Sequence, residues 1–227
     1  METEKEMDRR GTYGEILNAP TFVKQLLKES EIEGCWETGI ESDKRNRGTS
    51  INTSVYGYDE AQSLAVVQVR QCHFRPGRYS KVRKDYYLVG RLENGKVFAH
   101  GIDSPIRSKL CLADAKFCVD YVLSKIWGCK IDELSDITRQ GDVAFIPISH
   151  LPATAVDING ESIIIRETHK IEGKIWKDVD GTLYCTRGTR MIHTKKEHKT
   201  IKAKAGYYRI KAGYRASMWG FTHPTAD

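Results

Sequence analysis

The sequence predicts an α+β chain. An N-terminal helix, an antiparallel meander and a long helix would occupy residues 1–138, and a small all-β barrel or sandwich would occupy 139–227. Three observations carry this expectation. Apolar residues at helical spacing stand near the N-terminus and again before residue 129. Two strong turn signals divide residues 64–102 into β-branched runs. From residue 139 onward, turn residues recur at intervals of about eight to twelve, as short-stranded β folds require.

The elements follow in order. Residues 1–10, METEKEMDRR, read as a solvated tail with no apolar stretch of the signal-peptide kind. In TFVKQLLKESEIEG, Phe22, Val23, Leu26 and Leu27 share one helical stripe, and Gly34 marks a stop. The polar ETGIESDKRNRGTSINTS that follows reads as a loop. SLAVVQVRQCHF, YSKVRKDYYLVGRL and VFAHGI read as three strands. They are joined by RPGR at 75–78 and by ENGK at 93–96, whose Asn-Gly pair is a hairpin signal. SPIRSKLCLADAKFCVDYVLSKIWGC reads as the long helix, with Ala115, Val119, Val122, Leu123 and Ile126 on one stripe and Gly128 closing it. An acidic linker, KIDELSDITRQGD, leads to the β region. There VAFIPI, SIIIRETHKI, KIWKDV, TLYCTR, RMIHTKK and AGYYRIK are strand candidates, with turns at DING and DVDG.

Composition narrows the function classes. The 227 residues are 40% hydrophobic and 29% charged, as in ordinary globular chains. No apolar run approaches the roughly 20 residues of a membrane helix. The six cysteines lack the short paired spacing of a zinc site, and a reduced, cytoplasmic protein is expected. No phosphate-binding glycine loop, dinucleotide fingerprint or nucleophile elbow is present, and no cofactor is expected. Charge is unevenly distributed: residues 61–109 and 161–227 each carry +7, against −5 for 1–60 and −3 for 110–160, within a net charge of +6. Localised positive surface favours polyanions through counterion release.

Each basic block offers a candidate surface. The first is a hairpin in which Arg75, Arg78, Lys81, Arg83, Lys84 and Arg91 interleave with Phe74, Tyr79, Tyr86 and Tyr87. Cations neutralise phosphates and rings stack on unpaired bases. The second is Arg190, Lys196, Lys199, Lys202, Lys204 and Tyr207. Because the cations lie on strand candidates among tyrosines, RNA or single strands are expected rather than duplex DNA.

The second block also holds histidines. His169, His193 and His198 are candidate acid/base groups for metal-independent RNA cleavage, with Lys195 or Arg209 as charge stabiliser and Tyr208 beside them. Glu167, two residues before His169, would share its strand face. The three histidines with Glu197 form an alternative metal set, against which the surrounding lysines count electrostatically. Phosphate-contacting or solvent-facing histidines are the third alternative.

RQGDVAFIPI…LP, RETHKI and MIHTKKEH…AGYYRI, across about residues 139–211, resemble a family of uncharacterised small β-domain proteins of bacteria and their phages. That pattern runs R-Q-G-D-V, a hydrophobic strand, Glu-x-Thr-Gly-His-x-His, His-x-x-His and Gly-x-Tyr. Gly141, Asp142, Glu167, Thr168, His169, His193, His198, Gly206 and Tyr208 fall on it. RETHKI has one histidine where the pattern has two, and HTKKEH is longer than the His-x-x-His segment, so a metal site carried over would lack a ligand. The resemblance implies no activity. The expected protein is therefore an intracellular nucleic-acid-binding protein, with RNA cleavage as a secondary activity. The alternatives are a metal-dependent β-barrel enzyme acting on a small molecule, and a structural subunit of a larger complex.

Overall fold

The computed structural model describes residues 19–30, 39–42, 48–74, 81–92, 95–102, 115–158, 162–196 and 198–213. The turn RPGR, the C-terminal tail, and Arg75, Arg78, Tyr79 and Glu197 lie outside them, as do the side chains of Lys81 and Arg83. The described residues form two compact units, one up to Val122 and one from Leu123.

In the first unit, helix α1 (Thr21–Glu29) covers a five-stranded antiparallel sheet. Its strands are β1 (Gly39–Ser42), β2 (Gly48–Asp59), β3 (Leu64–Phe74), β4 (Lys81–Arg91) and β5 (Val97–Gly101), in chain order. Val23, Leu26 and Leu27 of α1 pack on Ala65, Val67, Val69, Tyr87 and Val89. Leu64 and Val66 are fully buried as well, so β3 is covered on both faces and its apolar run hardly alternates. Helix α2 (Ala115–Trp127) approaches β2 at Gly57, where a Cβ would lie 2.3 Å from the Ala115 carbonyl oxygen and 2.5 Å from Cys118 Cβ. Only glycine allows that approach.

In the second unit two open antiparallel sheets share one core. The strands are β6 (Thr138–Gln140), β7 (Val143–Ile148), β8 (Val156–Asp157), β9 (Ile163–Ile165), β10 (His169–Glu172), β11 (Ile175–Lys177), β12 (Leu183–Thr186), β13 (Arg190–His193), β14 (Ile201–Lys202) and β15 (Tyr207–Ala212). One sheet has the order β14-β13-β10-β9, the other β6-β7-β15-β12-β11-β8. Val143, Phe145, Ile175, Cys185, Tyr208 and Ile210 of the larger sheet meet Ile171 and Met191 of the smaller. Burial pushes the Cys185 thiol up to about 12, so it packs as an apolar group.

The expected fold class is corrected in four ways. The described chain is mostly β: three antiparallel sheets and two short helices of 9 and 13 residues. The polar stretch read as a loop after residue 36 supplies β1 and the long strand β2, because pairing with β3 outweighs its poor local β propensity. The long helix is limited to Ala115–Trp127 among the described residues. Among the described residues no sheet of the second unit closes into a barrel: its sheets have edge strands at β14 and β9 and at β6 and β8.

Candidate functional site

Register builds the site. In the pairing of β10 with β13, His169 stands directly opposite His193, and Ile171 opposite Met191. These four side chains point to the interior, while Glu172 and Arg190, also paired, point outward with an ion pair of 2.8 Å. A period of two thus sorts the strands into an inner apolar-and-imidazole face and an outer charged face.

The inner face brings all three histidines together. His169 is 2% exposed, His193 1% and His198 9%. The His169 and His193 rings meet edge to face at 5.0 Å between centroids, and the His193 and His198 rings at 4.9 Å. His193 is therefore the middle member of a buried imidazole chain.

Two turns wall the chain in. The β6–β7 turn supplies Gly141, at φ +57°, where a Cβ would lie 3.3 Å from His198 Nε2 and 3.6 Å from His169 Nε2. Glycine is needed there twice, for its left-handed backbone and for its missing Cβ. Asp142 follows, with one carboxylate oxygen 3.8 Å from His169 Nδ1 and the other 3.2 Å from Arg166 Nη1. The β9–β10 turn holds Arg166 and Glu167, both left-handed at φ 50° and 63° without being glycine. Such backbone persists only where its surroundings hold it. Arg166 is held by Asp142 and by a hydrogen bond from its guanidinium to the Gly213 carbonyl. Thr168 Oγ1 lies 3.0 Å from His169 Nδ1.

The electrostatics favour a neutral His169. Burial lowers its basicity, Asp142 opposes that, and His193 and His198 add to the lowering; the Gln140 backbone favours the proton slightly. His169 Nε2 is buried without a hydrogen-bond partner of normal geometry among the described residues. Among the described residues, no group of three or more His, Cys, Asp or Glu side chains is gathered as metal ligands would be.

The hairpin between β13 and β14 covers the chain. The Thr194 amide donates to the Thr168 carbonyl at 2.7 Å, and the fully buried Gln140 side-chain amide donates to the Lys199 carbonyl at 2.5 Å. Lys195, Lys196, Lys199, Lys202 and Lys204 are exposed along this segment and its flank, as is Arg190.

The other sequence candidates are dispersed. Tyr208 is core, packed on Phe145, and its hydroxyl donates to the Ala205 carbonyl at 3.1 Å. Arg209 donates to the Trp127 and Gly128 carbonyls at 3.2 and 2.9 Å, so it closes the C-terminal end of α2. Glu167 lies in a turn and is exposed, so it does not share a strand face with His169. Tyr207 is 39% exposed, beside Trp176 at 6.3 Å, with Lys174 Nζ 5.2 Å over the Trp176 ring. In the first unit Tyr87 is core and Tyr86 bonds to Gln68, so neither ring is a free stacking platform. Lys84 is exposed, and Arg91 pairs with Glu29 at 2.8 Å.

Sequence reading missed Gln140 and Arg166 as parts of this site. The signal for Arg166 was weak, since a left-handed turn without glycine or asparagine carries no composition cue. For Gln140, the only cue was its place in the R-Q-G-D-V stretch of the resemblance.

The fold and site together define a mostly β chain whose second unit buries a histidine chain beneath an exposed lysine hairpin. Comparison with family models, curated proteins and solved structures gives no match for this chain. No helix among the described residues is long and apolar enough to cross a membrane.

Proposed function

We propose that the chain binds nucleic acid, RNA or single strands in preference to duplex DNA, through the exposed face of residues 190–207. One observation carries this reading. Lys195, Lys196, Lys199, Lys202 and Lys204 are all exposed within ten residues, and none has an ion-pair partner among the described residues. Unpaired surface cations are the groups that release counterions from a phosphate backbone. The Trp176–Tyr207 pair with Lys174 adds an aromatic surface in the same unit, suited to base stacking.

Metal-independent RNA cleavage receives no such support. A general base must reach the 2′-hydroxyl, and His169 and His193 are 2% and 1% exposed. Of the two basic surfaces in the sequence, the 75–91 hairpin contributes less, since Tyr86, Tyr87 and Arg91 are engaged internally.

Fluorescence anisotropy with a labelled single-stranded RNA, titrated against salt, tests the proposal. The logarithm of affinity should fall steeply with the logarithm of salt, by about 0.7 for each phosphate neutralised on a single strand. Replacing Lys195, Lys196, Lys199 and Lys202 together with alanine should flatten the slope by about three and change stability by no more than about 0.5 kcal/mol. A salt-independent isotherm, or one the quadruple variant leaves untouched, would rule out this surface.

A further inference from the structure

We propose that Trp176 and Tyr207 form a base-stacking subsite beside the lysine segment, and that this subsite is what selects unpaired strands. The subsite presupposes the nucleic-acid reading and adds to it the residues that hold the bases.

Register puts both rings on one open surface. Trp176 of β11 stands opposite Tyr184 of β12, and Tyr207 of β15 stands opposite Thr186 of β12. Their chain neighbours Ile175 and Tyr208 are core, so the two rings lie on the face of the larger sheet turned away from it. Trp176 is half-buried and Tyr207 is exposed. The rings meet edge to face, 6.3 Å apart with 76° between their planes, so each braces the other. Neither belongs to the core of the unit. A single exposed ring needs no explanation, whereas a paired and cation-flanked one has the makeup of a stacking platform.

Hydrogen bonds join this surface to the lysine segment. The hydroxyl of fully buried Thr189 donates to the Lys174 carbonyl at 3.2 Å, two residues before Trp176. The Ala203 amide donates to the Thr189 carbonyl at 2.8 Å, and the Gly188 amide to the Ala203 carbonyl at 3.0 Å. Thr186 Oγ1 donates to the Gly206 carbonyl at 3.0 Å, beside Tyr207. Gly173 closes the packing, since a Cβ there would lie 2.8 Å from Thr189 Cα. The β10–β11 and β12–β13 turns therefore meet the stretch from Ala203 to Tyr207 at one corner of the unit.

That corner is cationic. Lys174, Arg187, Lys202 and Lys204 are exposed, and none has an ion-pair partner among the described residues. Lys174 Nζ lies 5.2 Å over the Trp176 ring. Asp157 of β8, opposite Trp176 on its other side, bounds the positive surface. Bases and phosphates alternate along a strand, so rings and cations this close can serve the same nucleotide. In a duplex the base faces are stacked on one another and cannot reach the rings, whereas a single strand can turn them outward. The lysines hold either form by its phosphates, and the rings hold only the unpaired one.

Fluorescence anisotropy of the full chain tests this with three labelled probes: a single-stranded RNA of mixed sequence, the same backbone made abasic, and an RNA duplex of equal length. The wild type should bind the single strand roughly 5- to 100-fold more tightly than the abasic strand, the worth of stacking about one base. Trp176→Ala and Tyr207→Ala should each remove most of that preference, and Trp176→Phe should restore part of it. Abasic binding, duplex binding and the salt slope should stay as in the wild type, which also shows that the variants are folded. Where alanine impairs folding, Trp176→Leu and Tyr207→Leu keep the bulk without the ring face and take its place. Equal wild-type affinity for base-bearing and abasic strands overturns the subsite and leaves the lysine surface standing. A preference that both ring variants retain overturns it as well. Absence of salt-dependent binding to any probe removes the nucleic-acid reading itself, and the subsite with it.

Discussion

Each unit buries one polar cluster, and the two clusters differ in what they can become. In the first, Gln68 lies 1% exposed in the middle of β3. Its amide donates to the Tyr56 hydroxyl at 3.0 Å and to the Tyr86 hydroxyl of the facing strand. The irregularity in β2 between Val55 and Gly57 lets Tyr56 join this cluster. In the second, three imidazoles fill an interior place: His169 on β10, His193 on β13 and His198 in the β13–β14 hairpin. An amide carries no ionisable proton, whereas burial lowers the basicity of the His169 imidazole, with His193 and His198 adding to the lowering. Burial therefore makes the first cluster a fixed strut and the second a site whose stability depends on protons.

The comparison can be broken most strongly at His193. His193→Ala removes the middle ring of a chain and leaves a cavity at a position 1% exposed. The expected cost is about 2–4 kcal/mol at pH 7.5, read by denaturant unfolding of the second unit. A cost within error of zero would mean the rings do not support one another.

Gln68→Leu should cost less, about 1–3 kcal/mol, because it removes the buried amide that donates to the Tyr56 and Tyr86 hydroxyls. The diagnostic feature is flatness. Its penalty should be the same at pH 5.5 and 7.5, and a penalty that changes with pH would erase the contrast between the clusters.

The smallest effect sharpens the comparison by its sign. His169 is less basic folded than unfolded, so the unfolded chain binds more protons below the ordinary histidine value. The contribution of neutral burial is complete above about pH 6.5 and is lost as pH falls through that value toward the folded one. Within that window the second unit should lose up to about 1.4 kcal/mol per pH unit per proton. Thermal or denaturant midpoints at a series of pH values measure it, and a second unit more stable at pH 5.5 than at 7.5 would reverse the assignment.

Much of the fold was legible, unevenly. The amphipathic stripe of Val23, Leu26 and Leu27 marked α1. β-branched runs marked β3 and β4. Gly95 and Gly181 adopt the left-handed backbone expected of their turns, at φ 86° and 85°. β2 was not legible, because Gly48, Asn52 and Ser54 are poor strand formers that a partner strand must recruit. At the site, His169, His193 and His198 could be named from the chain, but not their burial. The lysines around them suggested exposed imidazoles. In a strand, though, a lysine and a histidine one residue apart face opposite ways, as Lys170 and His169 do.

The sequence by itself determined the local elements and the inventory: α1, the main hairpins, a strand-rich second half, and one segment dense in lysine and histidine. These follow from periodicity, turn residues and composition, which are properties of neighbours in the chain. Only the tertiary structure decided that His169 stands opposite His193, that Gly141 opens room beside His198, and that Arg166 reaches Asp142. Those facts depend on strand register and on side chains brought from three separate segments, and a one-residue slip would have turned the same histidines outward.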